Sequence, residues 1–296
     1  MKINQEMKRK IVQVAAFGYS NTYIGNFVSG QIYKGRWKQF CNPGMNCYSC
    51  PAARLACPIG AMQAVSGSMN FKLSFYVIGF VLALGVVFGR AICGFFCPFG
   101  LIQELIYKIP FPKKKLWKWL TYVKYVLLAV FVVIMPVTMV NELGMSSPAF
   151  CEYICPAGTL EGGIPLLSTH PELRATLGAL FSVKACILII TLIGCLSVCR
   201  FFCKVMCPLG AIYGLLNKVS IYHMECNKKT CVSCGKCARA CKMDVDVTKT
   251  PNHTECIRCG MCIRACPTNA VCFRYGFGDG KEKENAATLR ENNNKA

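Results

Sequence analysis

Residues 90–100 read RAICGFFCPFG and residues 200–210 read RFFCKVMCPLG, so one pattern of arginine, cysteine, proline and glycine recurs 110 positions later. Proline favours the first position of a helix, which places the preceding cysteine at the cap, where free N–H groups stabilise a thiolate. Duplication of this kind is expected to bring four thiols together at one site, called the inner site below. These thiols are Cys93, Cys97, Cys203 and Cys207.

Two further Cys-Pro-x-Gly motifs, at residues 57–60 and 155–158, each precede an apolar segment. The first part of the chain therefore consists of a duplicated unit in which a span, outer cysteines, a second span and inner cysteines follow one another. Because both copies run in the same direction, their symmetry axis is expected to lie along a membrane normal.

The apolar segments predict a membrane α-helical protein, since 54% of the 296 residues are hydrophobic and only 16% are charged. A span needs about 20 mostly apolar residues. The first candidate contains polar residues such as Gln13 and Asn21, and an interfacial helix is the alternative for it. We expect about four transmembrane helices, arranged as a duplicated two-helix unit, at residues 11–28, 71–89, 119–140 and 177–198.

The formal net charge of +20 raises the question of a nucleic-acid partner. Four basic residues precede the first predicted span, six follow the second and sixteen follow the fourth, so 26 of the 34 lie on one side. This asymmetry obeys the positive-inside rule. The charge therefore indicates a multi-pass protein of the cell membrane, in contact with lipid and not with nucleic acid, whose carboxy-terminal part is cytoplasmic.

The carboxy-terminal part carries two cysteine runs, CVSCGKCARAC at residues 231–241 and CIRCGMCIRACP at residues 256–267. This is the spacing of two-cluster bacterial ferredoxins, in which the fourth cysteine of each run binds the cluster of the other run. Zinc is the alternative, but zinc sites rarely use this duplicated triple spacing. The spacing predicts two 4Fe-4S clusters, one bound by Cys231, Cys234, Cys237 and Cys266, the other by Cys256, Cys259, Cys262 and Cys241.

Three parts of the chain follow from these motifs. We expect a membrane domain at residues 1–222, a small α+β two-cluster ferredoxin domain at 223–275 and a disordered polar tail at 276–296.

The membrane cysteines predict one or two further iron–sulfur clusters. At the inner site, reduced thiols without metal are the alternative. On the outer side, strict symmetry asks for a cysteine where Ala53 stands, and disulfides are the alternative on an oxidising face. We expect one outer cluster drawn mainly from the first loop, with ligands from the second. Its candidates are Cys41, Cys47, Cys50, Cys57, Cys151 and Cys155.

From about residue 8 to residue 274 the chain resembles membrane-bound polyferredoxins of the NapH/MauN type. The resemblance is carried by the duplicated CxxxCP block and by CKMDVDVTKTPNHTECIRCGMCIRACP at residues 241–267. Residues 40–63 resemble a subgroup with an additional outer cysteine motif. The resemblance implies electron transfer between quinol or cytoplasmic donors and extracytoplasmic redox enzymes.

These features predict an electron carrier that connects a cytoplasmic donor with an extracytoplasmic redox protein. A single electron transfer across a bilayer core of about 30 Å is implausible. Carriers at both faces are therefore expected, with a bound quinone or flavin as a speculative link between them. The alternatives are a quinol dehydrogenase subunit and an assembly or maturation factor that reduces a metal or thiol in a partner enzyme.

Overall fold

The computed structural model describes residues 5–66, 72–139 and 147–276. Helices dominate the described chain up to residue 216, and both halves of this part follow the same order of elements. The first half contains α1 (Gln5–Ser20), α2 (Asn26–Ser29), α3 (Pro58–Ser66), α4 (Lys72–Phe88), α5 (Ala91–Phe95) and α6 (Pro98–Ile106), with a 3₁₀ turn at Arg36–Gln39.

The second half repeats this order. A 3₁₀ turn at Pro171–Thr176 precedes its longest single helix. The helices are α7 (Val123–Leu127), α8 (Met135–Thr138), α9 (Pro156–Gly158), α10 (Ile164–Thr169), α11 (Ala179–Ser197), α12 (Phe201–Val205) and α13 (Pro208–Leu216). The duplication predicted from the sequence is visible in matched lengths, because α5 and α12 have five residues each and α6 and α13 have nine.

Among the residues that the structure describes, two helices are long and apolar enough to cross a membrane. They are Lys118–Thr138, with a mean hydropathy of 2.2, and Ala179–Ser197, with a mean hydropathy of 2.4. The first of these helices consists of four consecutive segments. They are a 3₁₀ turn at Lys118–Tyr122, α7, a π-helical segment at Leu128–Ile134, and α8. Pro136 cannot donate a main-chain hydrogen bond, and the wider π turn precedes it directly. These two helices coincide with the spans predicted at 119–140 and 177–198.

The other two predicted spans differ in the structure. The span at 71–89 corresponds to α4, whose apolar stretch Phe75–Phe88 is shorter than the two long helices. The span at 11–28 is not one helix, because α1 ends at Ser20. Asn21 Nδ2 donates to the carbonyl of Phe17 at 3.2 Å and Thr22 Oγ1 donates to that of Tyr19 at 2.9 Å. Side-chain bonds of this kind compete with the helical main-chain bonds and end the helix.

The helix α3 folds back against α4 and also packs against the helix Lys118–Thr138. Nine residues of helix rise about 13 Å, so α3 is far too short to cross a bilayer. The first residue of α3, Pro58, and the cysteine before it therefore lie inside the helical bundle, and Cys57 belongs to its central core. That core also includes Val81 of α4, Phe150 and Tyr213.

The carboxy-terminal segment forms a small α+β unit with two short helices and a two-stranded antiparallel sheet, in which Tyr222 pairs with Tyr275 and Cys226 with Val271. Gly235 and Gly260 precede the two helices with left-handed φ values of 69° and 78°, a conformation that glycine adopts without strain. The predicted tail lies outside the described residues, apart from Gly276. The elements are β1 (Tyr222–Cys226), α14 (Lys236–Ala240), α15 (Met261–Ala265) and β2 (Val271–Tyr275).

Candidate iron–sulfur sites

The two cysteine runs of the carboxy-terminal unit form two groups, and each group includes the fourth cysteine of the other run. Cys231, Cys234, Cys237 and Cys266 line one cavity. Cys241 lies with the second run, since its charge raises the pKa of Cys256 and of Cys262. Burial, followed by the charges of its three neighbouring cysteines, raises the pKa of Cys262 to about 12. The structure therefore places these eight thiols in the two predicted groups.

Main-chain amides donate to the fourth cysteine of each run in the same way. The N–H of Val245 lies 3.4 Å from Cys241 Sγ, and the N–H of Ala270 lies 3.3 Å from Cys266 Sγ. Hydrogen bonds to the cysteine sulfurs are one of the means by which a protein sets a cluster's reduction potential.

The four inner cysteines converge in the core, as the duplication predicts, and each is at most 5% exposed. Cys97 caps α6 and Cys207 caps α13, where their Sγ atoms accept hydrogen bonds from Gly100 N at 3.4 Å and Gly210 N at 3.3 Å. Each of the four thiols lies close enough to the other three for their charges to influence one another. Burial is the dominant effect and raises the pKa of Cys93 to about 11.

Two arginines, each completely buried, connect the repeats reciprocally. Arg90 precedes the first inner motif and donates to the carbonyl of Cys203 in the second motif at 2.7 Å. Arg200 precedes the second motif and donates to the carbonyl of Cys93 in the first. Two guanidinium groups beside four thiolates offset the negative charge that a cluster brings into an apolar core.

A glutamine that was not among the predicted site residues also donates a hydrogen bond to an inner thiol. Gln103 Nε2 lies 3.2 Å from Cys203 Sγ. The signal was present in the sequence, because Gln103 follows Cys97 by six positions and Gln63 follows Cys57 by the same interval. Cys186, Cys195, Cys199, Cys226 and Cys272 belong to none of the predicted ligand groups.

The six predicted outer cysteines do not all converge. Cys47, Cys57, Cys151 and Cys155 lie around one point of the core. Cys41 is a neighbour of Cys57, and Cys50 lies with Ala52 and Ala53 in a small cluster against which Cys47 packs. Glu161 is also buried here, and its Oε2 accepts a hydrogen bond from Cys47 N at 2.8 Å. Burial raises the pKa of Glu161 to about 7.

The outer cysteines lie closer to the inner site than the sequence analysis expected. Cys57 and Cys155 share one core with all four inner cysteines. The segment before Cys47 reaches the inner site, since Cys97 Sγ lies 3.9 Å from the main-chain oxygen of Met45 and Tyr213 donates to the carbonyl of Pro43 at 3.0 Å. The outer cysteines share this core because α3 is a short helix that folds into the bundle.

The donor sets suit iron–sulfur cubanes. Among the described residues, no three His, Cys, Asp or Glu side chains are close enough together to share a single metal ion. The thiolates of a cubane bind separate iron atoms and are therefore farther apart than ligands of one ion. None of the 23 cysteines, all of which lie in the described ranges, is disulfide-bonded.

Comparisons with known proteins identify the family. Residues 73–118, 124–168 and 180–222 match the 4Fe-4S binding domain family Fer4_5, and residues 250–272 match the 4Fe-4S binding domain family Fer4. The uncharacterized protein MJ0750 of Methanocaldococcus jannaschii is 32% identical over 72% of this chain and 83% of its own length. This chain belongs to the polyferredoxins of the NapH/MauN type. No solved structure matches it.

Two further relatives have descriptive names. YccM of Escherichia coli, named as an electron transport protein, is 27% identical over 62% of this polyferredoxin and 48% of its own length. The methylamine utilization ferredoxin-type protein MauN of Methylorubrum extorquens is 26% identical over 54% of this chain and 50% of its own length. The chain thus spans about half the length of each. The family matches show that it contains several 4Fe-4S binding domains.

Proposed function

We propose that this polyferredoxin conducts electrons across the cell membrane, between a soluble redox partner in the cytoplasm and a redox protein on the opposite side. The supporting observation is that the cysteine groups follow one another through direct packing contacts. Clusters supply the one-electron chemistry, and the chain fixes their spacing and their potentials.

The first contact joins the carboxy-terminal unit to the inner site. A Cβ added to Gly94, next to Cys93, would lie only 2.6 Å from the carbonyl oxygen of Ile257, next to Cys256. Asn217 Nδ2, on the turn after α13, donates to the carbonyl of Cys256 at 3.0 Å. The loop of the second ferredoxin-type group therefore lies directly against the inner cysteines.

The same unit is held by several bonds to the helices. Arg258 donates to the carbonyl of Phe88 at 2.8 Å and to the carbonyl of Asn217 at 2.9 Å. Ile221 N donates to the carbonyl of Val86 at 2.8 Å. A unit anchored in this way needs no movement in order to pass an electron to the inner site.

The second contact joins the inner site to the outer group. A Cβ added to Gly44 would lie 2.5 Å from Cys97 Cα, so the main chains touch there. Since Cys57 and Cys155 also share the core of the inner cysteines, electrons have a continuous path of thiol-lined sites. This path requires no quinone or flavin between the two membrane sites.

The surface of the helices supports the proposed membrane placement. In α1 the polar residues Arg9 and Gln13 are buried, whereas Ile11 and Val14 are more than half exposed. Ile190 of α11 is 61% exposed. This is the reverse of a water-soluble surface and suits contact with lipid, where polar side chains face the bundle interior. Together with the asymmetry of the basic residues, it supports a multi-pass topology with the carboxy-terminal unit in the cytoplasm.

Sealed vesicles provide the test. The protein is reconstituted, without quinone, with its carboxy-terminal unit outside, and a membrane-impermeant oxidant is trapped inside. Addition of an impermeant reductant outside should reduce the trapped oxidant. A variant with Cys93 and Cys203 both changed to serine should conduct no faster than empty vesicles. Transfer that is absent in the loaded wild type, or equally fast in this variant, would overturn the proposal.

A further inference from the structure

We propose that Cys47, Cys57, Cys151 and Cys155 bind a second 4Fe-4S cluster within the membrane part, and that Cys41 and Cys50 are not its ligands. This assignment rests on the proposed relay, for which it identifies the outer group as a cluster with four defined ligands. The sequence offers six candidate outer cysteines and does not distinguish the ligands among them. The assignment selects four of the six.

The outer group repeats the construction of the inner site. Residues 57–63 read CPIGAMQ and residues 97–103 read CPFGLIQ. Residues 151–158 read CEYICPAG and residues 203–210 read CKVMCPLG. In this alignment Cys57 corresponds to Cys97, and the CxxxC pair of residues 151–155 corresponds to that of residues 203–207.

Equivalent hydrogen bonds confirm that the alignment is structural as well as sequential. Gln103 donates to Cys203 Sγ at 3.2 Å, and Gln63 Nε2 donates to Cys151 Sγ at 3.4 Å. Gln63 is completely buried and its Oε1 accepts from Phe150 N at 2.7 Å, so the amide orientation is fixed by both ends. In each site a glutamine of one repeat therefore bonds a thiol of the other.

The Cys-Pro-x-Gly turns are equivalent too. Pro58 begins a helix directly after Cys57, and Pro156 begins one directly after Cys155. Pro98 and Pro208 do the same after Cys97 and Cys207 at the inner site. Each of these turns thus presents a thiol at the beginning of a helix, where the free N–H groups favour an anion.

The equivalent of Cys93 is the ligand that the repeat lacks, because Ala53 occupies its position. Cys47 fills this gap in space. A Cβ added to Gly158 would lie 3.9 Å from Cys47 Sγ and 4.0 Å from Cys155 Sγ, so the two sulfurs face a common point. A Cβ added to Gly60 would lie 3.7 Å from Cys151 Sγ and 4.0 Å from Cys57 Cβ, which brings in the other two residues.

All six pairs among these four cysteines are within electrostatic reach of each other, which also holds for the inner site. Burial first, and then the charges of Cys57 and Cys47, raise the pKa of Cys151 to about 12. Thiols buried in this way remain protonated until a metal displaces the protons. Four such thiols around one point are the donor set of a cubane.

Cys41 and Cys50 have different surroundings. Cys41 forms a main-chain bridge with Ala56, and Cys57 is the one thiol that influences its pKa after burial. The Cys50 thiol faces Asn21 Oδ1 at 4.0 Å, and its charged neighbours are Glu161 and Lys38. Neither residue closes a group of four.

The test is the iron and sulfide content of anaerobically purified full-length protein, with C47S compared with C41S and C50S. Four clusters give about sixteen irons per chain. We expect C47S to lose about four irons and an equal number of sulfides, and C41S and C50S to lose none. Circular dichroism and the elution volume in detergent establish that each variant is folded. If C47S does not fold, C151S replaces it and is expected to lose the same four.

Three results would overturn the assignment. Wild type with about twelve irons, unchanged in C47S, would leave the outer site empty, although the first step of the relay, from the carboxy-terminal unit to the inner site, would still stand. A loss of four irons in C41S or C50S, but not in C47S, would assign the site to other ligands. Wild type with only about eight irons would contradict the relay itself as well, because both membrane sites would then be empty.

Discussion

The Glu255 carboxylate accepts a hydrogen bond from the Arg90 guanidinium, with 2.6 Å between Glu255 Oε2 and Arg90 Nη1. Both side chains are buried, and Lys124 is bonded to the other oxygen of the same carboxylate. Glu255 precedes the second cysteine run by one residue, and Arg90 precedes the first inner motif. This ion pair therefore connects the carboxy-terminal unit directly to the inner site.

The equivalent arginine of the second repeat pairs with a carboxylate of the first repeat. Arg200, the counterpart of Arg90, pairs with Glu104 at 2.7 Å. The residue 110 positions after Glu104 is Gly214, and a Cβ there would lie 2.9 Å from the carbonyl oxygen of Thr254. The missing side chain at residue 214 makes room for the loop that brings in Glu255. The duplication is thus asymmetric at the place where the carboxy-terminal unit docks.

Replacing Glu255 should loosen this docking. The variant E255Q removes a buried carboxylate from two buried cations, and breaking such a pair costs about 3 kcal/mol. Hydrogen exchange of the amides at residues 254–258 should accelerate by about a hundredfold, since local opening reports the free energy of that region.

The matched control is E104Q, which removes the carboxylate that pairs with Arg200, the counterpart of Arg90. It should accelerate exchange in α1, because Glu104 also pairs with Arg9 at 2.8 Å, and leave residues 254–258 protected. Equal exchange at 254–258 in E255Q and wild type would show that the ion pair does not hold the unit.

The close approach at Gly94 gives a second prediction. In G94A the new methyl group would meet the carbonyl oxygen of Ile257, which belongs to main chain and cannot rotate away. The variant should therefore separate the second ferredoxin-type group from the inner site and slow electron transfer between them. Rapid-mixing spectroscopy of the reduced clusters measures this rate.

The control for G94A is G79A in α4, where a Cβ would have no neighbour within 4 Å. Alanine is the better helix former by about 1 kcal/mol, so G79A should transfer electrons at the wild-type rate with equal or higher stability. A rate that is the same in G94A as in G79A would contradict a path through this contact.

The hydrogen bonds of the two glutamines predict a change in the midpoint potential of each membrane cluster when its glutamine is replaced. An N–H donor to a ligand sulfur stabilises the reduced, more negative state of a cluster. Q103L should lower the midpoint potential of the inner cluster, and Q63L that of the outer one. About 1 kcal/mol of hydrogen-bond energy corresponds to roughly 40 mV for one electron.

Redox titration followed by electron paramagnetic resonance measures both potentials in each variant. Each variant serves as the control of the other, because the two glutamines contact different groups. A shift of the same signal in both variants would mean that a single cluster occupies the membrane part.

The sequence was sufficient where its spacing is regular. The cysteine runs at 231–241 and 256–266 predicted both groups of the carboxy-terminal unit, including the exchange of Cys241 and Cys266. The interval of 110 residues predicted the convergence of the inner cysteines, because symmetric copies place equivalent residues near a common axis. Long apolar runs likewise predicted the helices at 118–138 and 179–197.

The sequence was insufficient where a tertiary contact replaces a local pattern. Cys47 substitutes in space for a cysteine that the repeat lacks at Ala53, and no spacing rule relates the two positions. The short helix Pro58–Ser66 is apolar without the length of a span, so its return into the bundle could not be read from hydropathy. The role of Glu255 depends on a space at Gly214 that becomes visible only in the folded chain.

The most direct test of the electron path is the order of cluster reduction in quinone-free vesicles with the carboxy-terminal unit outside. Rapid freeze-quench electron paramagnetic resonance follows each cluster after an impermeant reductant is added outside. The clusters of the carboxy-terminal unit should be reduced first, the inner cluster next and the outer cluster last, and E255Q should delay only the membrane clusters. Simultaneous reduction of all clusters, or membrane clusters that remain oxidised until quinol is supplied, would contradict a continuous relay through this chain.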